Sequence, residues 1–99
     1  MHTQRLINEN GRPVANHYVI NEKGKTYLQS YCSVVACINP LAKRKITLSS
    51  DWDYSNTTRK YLYTFLRQNG FDISRVDQVR ELIKLKKIIA KKEDSLLIK

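Results

Sequence analysis

Along the first half of the chain apolar residues tend to alternate with polar ones, whereas along the second they recur every three or four positions. Periods of two and of about 3.6 mark strand and helix respectively, because side chains alternate across a strand and wind around a helix. The change of period falls between Ser49 and Leu66, SSDWDYSNTTRKYLYTFL, which holds the only tryptophan, Trp52, and three of the six tyrosines, Tyr54, Tyr61 and Tyr63. This stretch is the expected seam of the fold.

Before the seam, a short apolar element at Arg5 to Ile7 leads to Asn10-Gly11, a strong hairpin-turn signal. Pro13 starts the return strand, where a missing amide costs least. Strict alternation places Val14, Asn16, Tyr18 and Ile20 on one face and Ala15, His17 and Val19 on the other. Asn21 to Gly24 form the next turn. The run Lys25 to Asn39, KTYLQSYCSVVACIN, is the most β-prone of the chain and too long for one ordinary strand, so a bend or bulge is expected near Tyr31 to Ser33. Pro40 to Lys45 read as a basic turn and Ile46 to Ser49 as a last strand.

After the seam, a helix is expected from about Asn56 to Asn69, capped by Asp53 or Ser55 and stopped at Gly70. Thr58, Leu62, Phe65 and Leu66, with Asn69, form the stripe that packs on the sheet. A second helix is expected from about Arg75 to Lys91, with Ser74 as cap and Asp77 at the capping-box position. Its apolar residues, Val76 to Ile89, spread over an arc interrupted by Lys86 and wider than one sheet contact requires. The tail Glu93 to Lys99 would add an edge strand, dock on a partner or fray. The expected fold is α+β over one domain, residues 1–99: an N-terminal antiparallel β-meander of about four strands (about 5–49), then two α-helices packed on one face (about 55–92).

The composition supports one compact domain: 99 residues, 41% hydrophobic and 27% charged. The charge narrows the partners. Eighteen Lys and Arg against nine Asp and Glu give a formal net charge of +9, which favours nucleic acid, an acidic protein face or an anionic membrane surface. With no apolar run of signal-peptide or membrane-spanning length, a cytoplasmic protein without membrane attachment is expected. Cys32 and Cys37 are read as free thiols packed as small apolar residues in a reducing compartment, since their spacing does not make a zinc half-site. His17 stands alone as a candidate ligand or base. Asp51 and Asp53 could share metal binding or acid/base work, but capping of the next helix explains them better. Glycine-rich phosphate loops and nucleophile elbows are missing from the sequence. The expectation is therefore a protein that is not an enzyme, with no catalytic residues, metal or cofactor.

The ordered cations are the remaining candidates. Arg80, Lys84, Lys87 and Lys91 recur at spacings of four, three and four on the expected second helix, where Glu81 is the only acid after Asp77. Arg59, Lys60, Tyr63 and Arg67 form a supporting stripe on the first. Lys43, Arg44 and Lys45 add a basic hairpin tip, and Tyr27, Gln29 and Tyr31 share a strand face suited either to packing or to stacking on bases. Three readings of the Arg80 to Lys91 stripe stay open: a solvated face, a phosphate-binding surface, or a surface for an acidic protein or for a groove that normally holds nucleic acid.

The strings YLQSYCSVVACI, Tyr27 to Ile38, and WDYSNTTRKYLYTFL, Trp52 to Leu66, resemble small proteins carried by phages, plasmids and other mobile elements of Gram-positive bacteria. The resemblance covers about Asn16 to Leu66. It implies a setting in the bacterial host cytoplasm in which small, single-domain, non-enzymatic inhibitors of host defence, anti-CRISPR proteins among them, are encoded. The expected function is a basic inhibitor acting on a CRISPR nuclease or its guide-RNA complex through Arg80, Lys84, Lys87 and Lys91, with Arg59, Lys60, Tyr63 and Arg67 in support. The alternative is a DNA- or RNA-binding module in which the same residues touch phosphates and Tyr63 or Tyr27 stacks on a base. Both a monomer and a homodimer are compatible with the sequence.

Overall fold

The computed structural model describes residues 2–41, 45–49, 52 and 55–84, and the backbone of 88–90. Strands β1 (His2–Ile7), β2 (Pro13–Glu22), β3 (Lys25–Ser30), β4 (Ser33–Ile38) and β5 (Ile46–Leu48) form an antiparallel meander. Helices α1 (Asn56–Gln68) and α2 (Val76–Lys84) follow, and a short strand β6 (Ile88–Ala90) pairs parallel with β5 at the edge of the sheet. The fold is α+β, as the change of period predicts.

The turns explain the order. At the first hairpin, the Asn8 carbonyl accepts from the Gly11 amide at 3.0 Å, and the Asn8 side chain accepts from the amides of Asn10 and Arg12. Gly11 alone takes positive φ, +80°, so Asn10-Gly11 closes a longer loop rather than a two-residue turn. The stretch Lys25 to Asn39 is not one bent strand. It reverses completely at Tyr31 and Cys32 and becomes β3 and β4. Tyr31 supplies the required left-handed residue, φ +56°, an unusual place for a bulky side chain, so the local sequence carries no glycine signal for this hairpin. A register shift between Leu28 and Gln29 lets both Val35 and Ala36 reach the main core.

The main core lies between the sheet and the helices. Leu28, Val35, Ile46 and Leu48 from the strands meet Leu62, Phe65 and Leu66 from α1 and Val79 from α2, all at most 3% exposed. Each such side chain contributes roughly 1.5–3 kcal/mol on burial. The expected stripe Thr58, Leu62, Phe65 and Leu66 is buried as a unit, while Asn69 is exposed. Ile20, Tyr27 and Val34 form a second, smaller cluster with Cys37. Tyr27 is only 3% exposed, and its packing role follows from that.

Ser55 caps α1 by accepting from the Thr58 amide at 3.1 Å. Its C-terminus closes with Phe71 N–H on the Leu66 carbonyl at 2.9 Å and Gly70 N–H on the Arg67 carbonyl at 3.1 Å, with Gly70 at φ +91°. This is the paired closure that a left-handed residue allows. α2 departs from expectation at both ends. The reach-back bond expected of Asp77 is made by Gln78, whose Oε1 accepts from the amides of Ser74 and Arg75, the two residues before the helix, at 2.8 and 3.0 Å. The described helix spans Val76–Lys84, and a strand at Ile88–Ala90 interrupts the helix expected to run to Lys91. Ile88 and Ile89, read as part of a wide helical arc, instead stand in β6 opposite Ile46 and Thr47. The β-branched pair suits a strand, and the open edge of β5 needs backbone partners.

Candidate functional site

β2 changes phase at Asn16, which takes φ +63°. Strict alternation fails there, and Val14, His17 and Val19 all face the main core or its polar margin. The carbonyl of Asn16 accepts from the amide of Tyr31 at 2.7 Å, so the two left-handed residues are held together. One residue on, His17 faces Ser30 across the strand pair.

His17 is 1% exposed. Its Nδ1 lies 2.9 Å from the Ala15 carbonyl, which can only accept, so Nδ1 carries the proton. In the neutral ring, Nε2 then accepts from the Ser30 hydroxyl at 3.0 Å. Ser30 Oγ in turn lies 3.2 Å from Thr58 Oγ1, and Ser55 Oγ donates to Thr58 Oγ1 at 3.2 Å. The chain Ser55, Thr58, Ser30, His17 thus runs in one donor direction from the cap of α1 to the backbone of β2. With both ring nitrogens engaged, buried His17 is the end of a satisfied hydrogen-bond network.

A cleft of about 470 Å³ opens over this network, between the Tyr31–Cys32 turn and the first turn of α1. Ser30, Tyr31, Cys32, Ser33, Ser55 and Thr57 line it, with Thr58 and Val35. None of these side chains is charged. Tyr31 is 54% exposed, with the His17 ring at 5.6 Å in an edge arrangement. Tyr31 therefore does not share the face of Tyr27 and Gln29, because its left-handed backbone takes it off the strand. The expected pair of packed thiols is also divided: Cys32 is exposed in the turn and Cys37 is half-buried in β4. No sequence rule singled out the cleft, whose only signals were the density of Ser and Thr at 30, 33, 55, 57 and 58.

The expected basic residues fall into three groups. Lys60 and Lys84 are exposed, and among the described residues neither has an acidic partner. The Lys60 ammonium lies 5.3 Å from the centre of the Tyr61 ring. Arg80 is exposed, with its guanidinium 5.5 Å from the centre of the Trp52 ring, a cation–π contact at the seam. Arg59, Tyr63 and Arg67 are half-buried. Arg59 donates to the Asn56 side chain, Tyr63 packs against the main core, and Arg67 donates to the Ile73 carbonyl at 3.0 Å and pairs with Glu9. Lys87 and Lys91 lie outside the described residues, as do Lys43, Arg44, Asp51, Asp53 and the tail. Because the backbone of 88–90 is a strand, no unbroken helix runs from Arg80 to Lys91.

Among the described residues, no three of His, Cys, Asp and Glu stand close enough to hold a metal ion, and no helix is long and apolar enough to cross a membrane. The model of a family of unknown function, DUF8033, matches residues 1–81, and the chain belongs to that family. The match takes in the whole meander, the cleft, α1 and Arg80, and ends within α2, before Lys84. Comparison with curated proteins and with solved structures returned no match.

Proposed function

We propose that this family member is a small basic, non-catalytic binding protein that acts by occupying a surface. In the phage or plasmid setting that its sequence resembles, its target is a host nuclease complex of the CRISPR type. The supporting observation is the pair of exposed lysines, Lys60 on α1 and Lys84 on α2, without acidic partners among the described residues of a chain with a net charge of +9. Cations left without local partners favour a polyanion or an acidic groove. Charge reversal tests this reading. With Lys60→Glu and Lys84→Glu combined, capture of the nuclease–guide complex and inhibition of its cleavage should both be lost, with the melting temperature unchanged. Full inhibition by the double variant would make these lysines ordinary solvated surface.

A second reading, a nucleic-acid-binding module, is favoured by a different observation, the exposed Tyr31 at the lip of a cleft whose described lining is uncharged. Anisotropy with labelled single-stranded DNA, duplex DNA and structured RNA at low and near-physiological salt separates the two. Binding that persists at the higher salt and prefers one form supports the module. Binding that disappears with salt leaves only counterion release and returns the charge to a protein partner.

A further inference from the structure

The distribution of charge around the cleft has a chemical consequence. The chain as a whole attracts polyanions, yet the described residues that line the cleft carry hydroxyls, one thiol, one aromatic ring and Val35, and none of them is charged. A phosphate would find no counter-charge among those side chains. The uncharged part of a nucleic acid is its base, and a base has a π-face and an edge of mixed donors and acceptors. A tyrosine ring suits the face, and hydroxyls, which both donate and accept, suit the edge.

The backbone that carries the ring is held in place. Tyr31 donates its amide to the Asn16 carbonyl at 2.7 Å, its own carbonyl accepts from Gln29 Nε2 at 2.7 Å, and its ring meets His17. A platform fixed at both backbone ends loses little freedom when a ligand stacks on it. The hydroxyls of Ser30, Thr58 and Ser55 are engaged in the buried chain. Those of Ser33 and Thr57 have no partner among the described residues and line the same cleft. A space of about 470 Å³ lies toward the lower end of the usual range for small-molecule sites, the scale of one nucleotide rather than a duplex.

We propose that the cleft between the Tyr31–Cys32 turn and the start of α1 binds one unpaired nucleobase, with Tyr31 stacking on its face and Ser33 and Thr57 meeting its polar edge. The proposal rests on the nucleic-acid reading above and adds the site and the single-stranded form to it. Duplex bases are already stacked and paired, so they cannot enter.

The test compares two labelled strands of equal phosphate number, an oligothymidylate and its fully abasic counterpart, at near-physiological salt. The intact chain should bind the oligothymidylate about tenfold more tightly, since stacking on an aromatic side chain is worth roughly that much per base. Tyr31→Phe should keep the preference. Tyr31→Asn, a substitution that tolerates positive φ, should erase it while leaving affinity for the abasic strand unchanged. Thr57→Val should weaken the preference without altering the melting temperature. Equal affinity of the intact chain for both strands would overturn the cleft assignment and leave the nucleic-acid reading standing. So would a preference that survives Tyr31→Asn and Thr57→Val. Failure to bind either strand would overturn both, and the abasic strand tells the two failures apart.

Discussion

Thr58 on α1 and Ser30 on β3 place their hydroxyl oxygens 3.2 Å apart, and both residues are at most 5% exposed. The pair links the cap of the first helix to the buried histidine of the second strand. Hydroxyls taken out of water are stable only while each finds a partner, and here each member supplies the next.

Removing one link should therefore cost more than its own bond. Ser30→Ala leaves His17 Nε2 without its donor and Thr58 without its acceptor, a loss of about 1–3 kcal/mol for a buried unsatisfied group. Thr58→Val alone should cost a similar amount. The double variant should lose less than the sum, because the second change removes a partner already orphaned. Urea unfolding checks this: the midpoint should fall with the slope unchanged. Strict additivity would mean that the two hydroxyls do not interact.

Gly70 gives a prediction of backbone origin. At φ +91° with open space where a Cβ would stand, its substitution meets no clash, so any cost comes from conformation. Gly70→Ala should destabilise the chain by about 1 kcal/mol, and Gly70→Asn should cost less, because asparagine tolerates the left-handed region better. Thermal unfolding of the two variants side by side would show the ranking.

The parts of the fold read from sequence are those set by local chemistry. The buried stripe of α1, the Ser55 cap and the Gly70 stop each depend on residues within one helix, and the sequence carries all three. Three features escaped because non-local geometry overrides the local signal. Asn16 and Tyr31 take left-handed conformations that nothing in their own type demands of Tyr31, and together they shift the phase of β2 and make a hairpin of a stretch expected only to bend. Ile88 and Ile89 fit a helical arc equally well until β5 offers an edge. The cleft joins residues some 25 positions apart and could be seen only once β3 and α1 were side by side.

Arg67 and Lys60 share the expected basic stripe of α1, but their surroundings differ. Arg67 ties the C-terminal part of α1 to the Ile73 carbonyl and to Glu9, beside the Gln68 amide on the Ile7 carbonyl at 2.6 Å. Lys60 is exposed. Arg67→Ala should lower stability by about 1–2 kcal/mol, mostly through the hydrogen bond to the partly buried carbonyl, since a pair as exposed as Arg67 and Glu9 contributes little. Lys60→Ala should stay within about 0.5 kcal/mol of the parent, as surface changes usually do, yet reduce the salt dependence of polyanion binding. Chemical denaturation and salt titrations of both variants would separate a structural arginine from a binding lysine. Equal stability of the two variants would return Arg67 to the candidate binding surface.

The last prediction concerns the segment after α2, where strand and helix readings give opposite observables. With Ile88, Ile89 and Ala90 paired parallel to Ile46, Thr47 and Leu48, their backbone is extended and alternate amides donate to β5. Their Cα chemical shifts should fall below random-coil values, and strand-to-strand NOEs should join them to Ile46–Leu48. A helix continuing to Lys91 would instead raise the Cα shifts and give NOEs between residues three apart. The outcome also decides the basic surface. On a continuous helix Lys84, Lys87 and Lys91 would follow Arg80 along one face. A strand at 88–90 interrupts any helix running from Arg80 to Lys91, and the cations on the described part of α2 are Arg80 and Lys84. Charge reversal at Lys84 should then cost more binding than reversal at Lys91, whereas a continuous stripe would make the two similar.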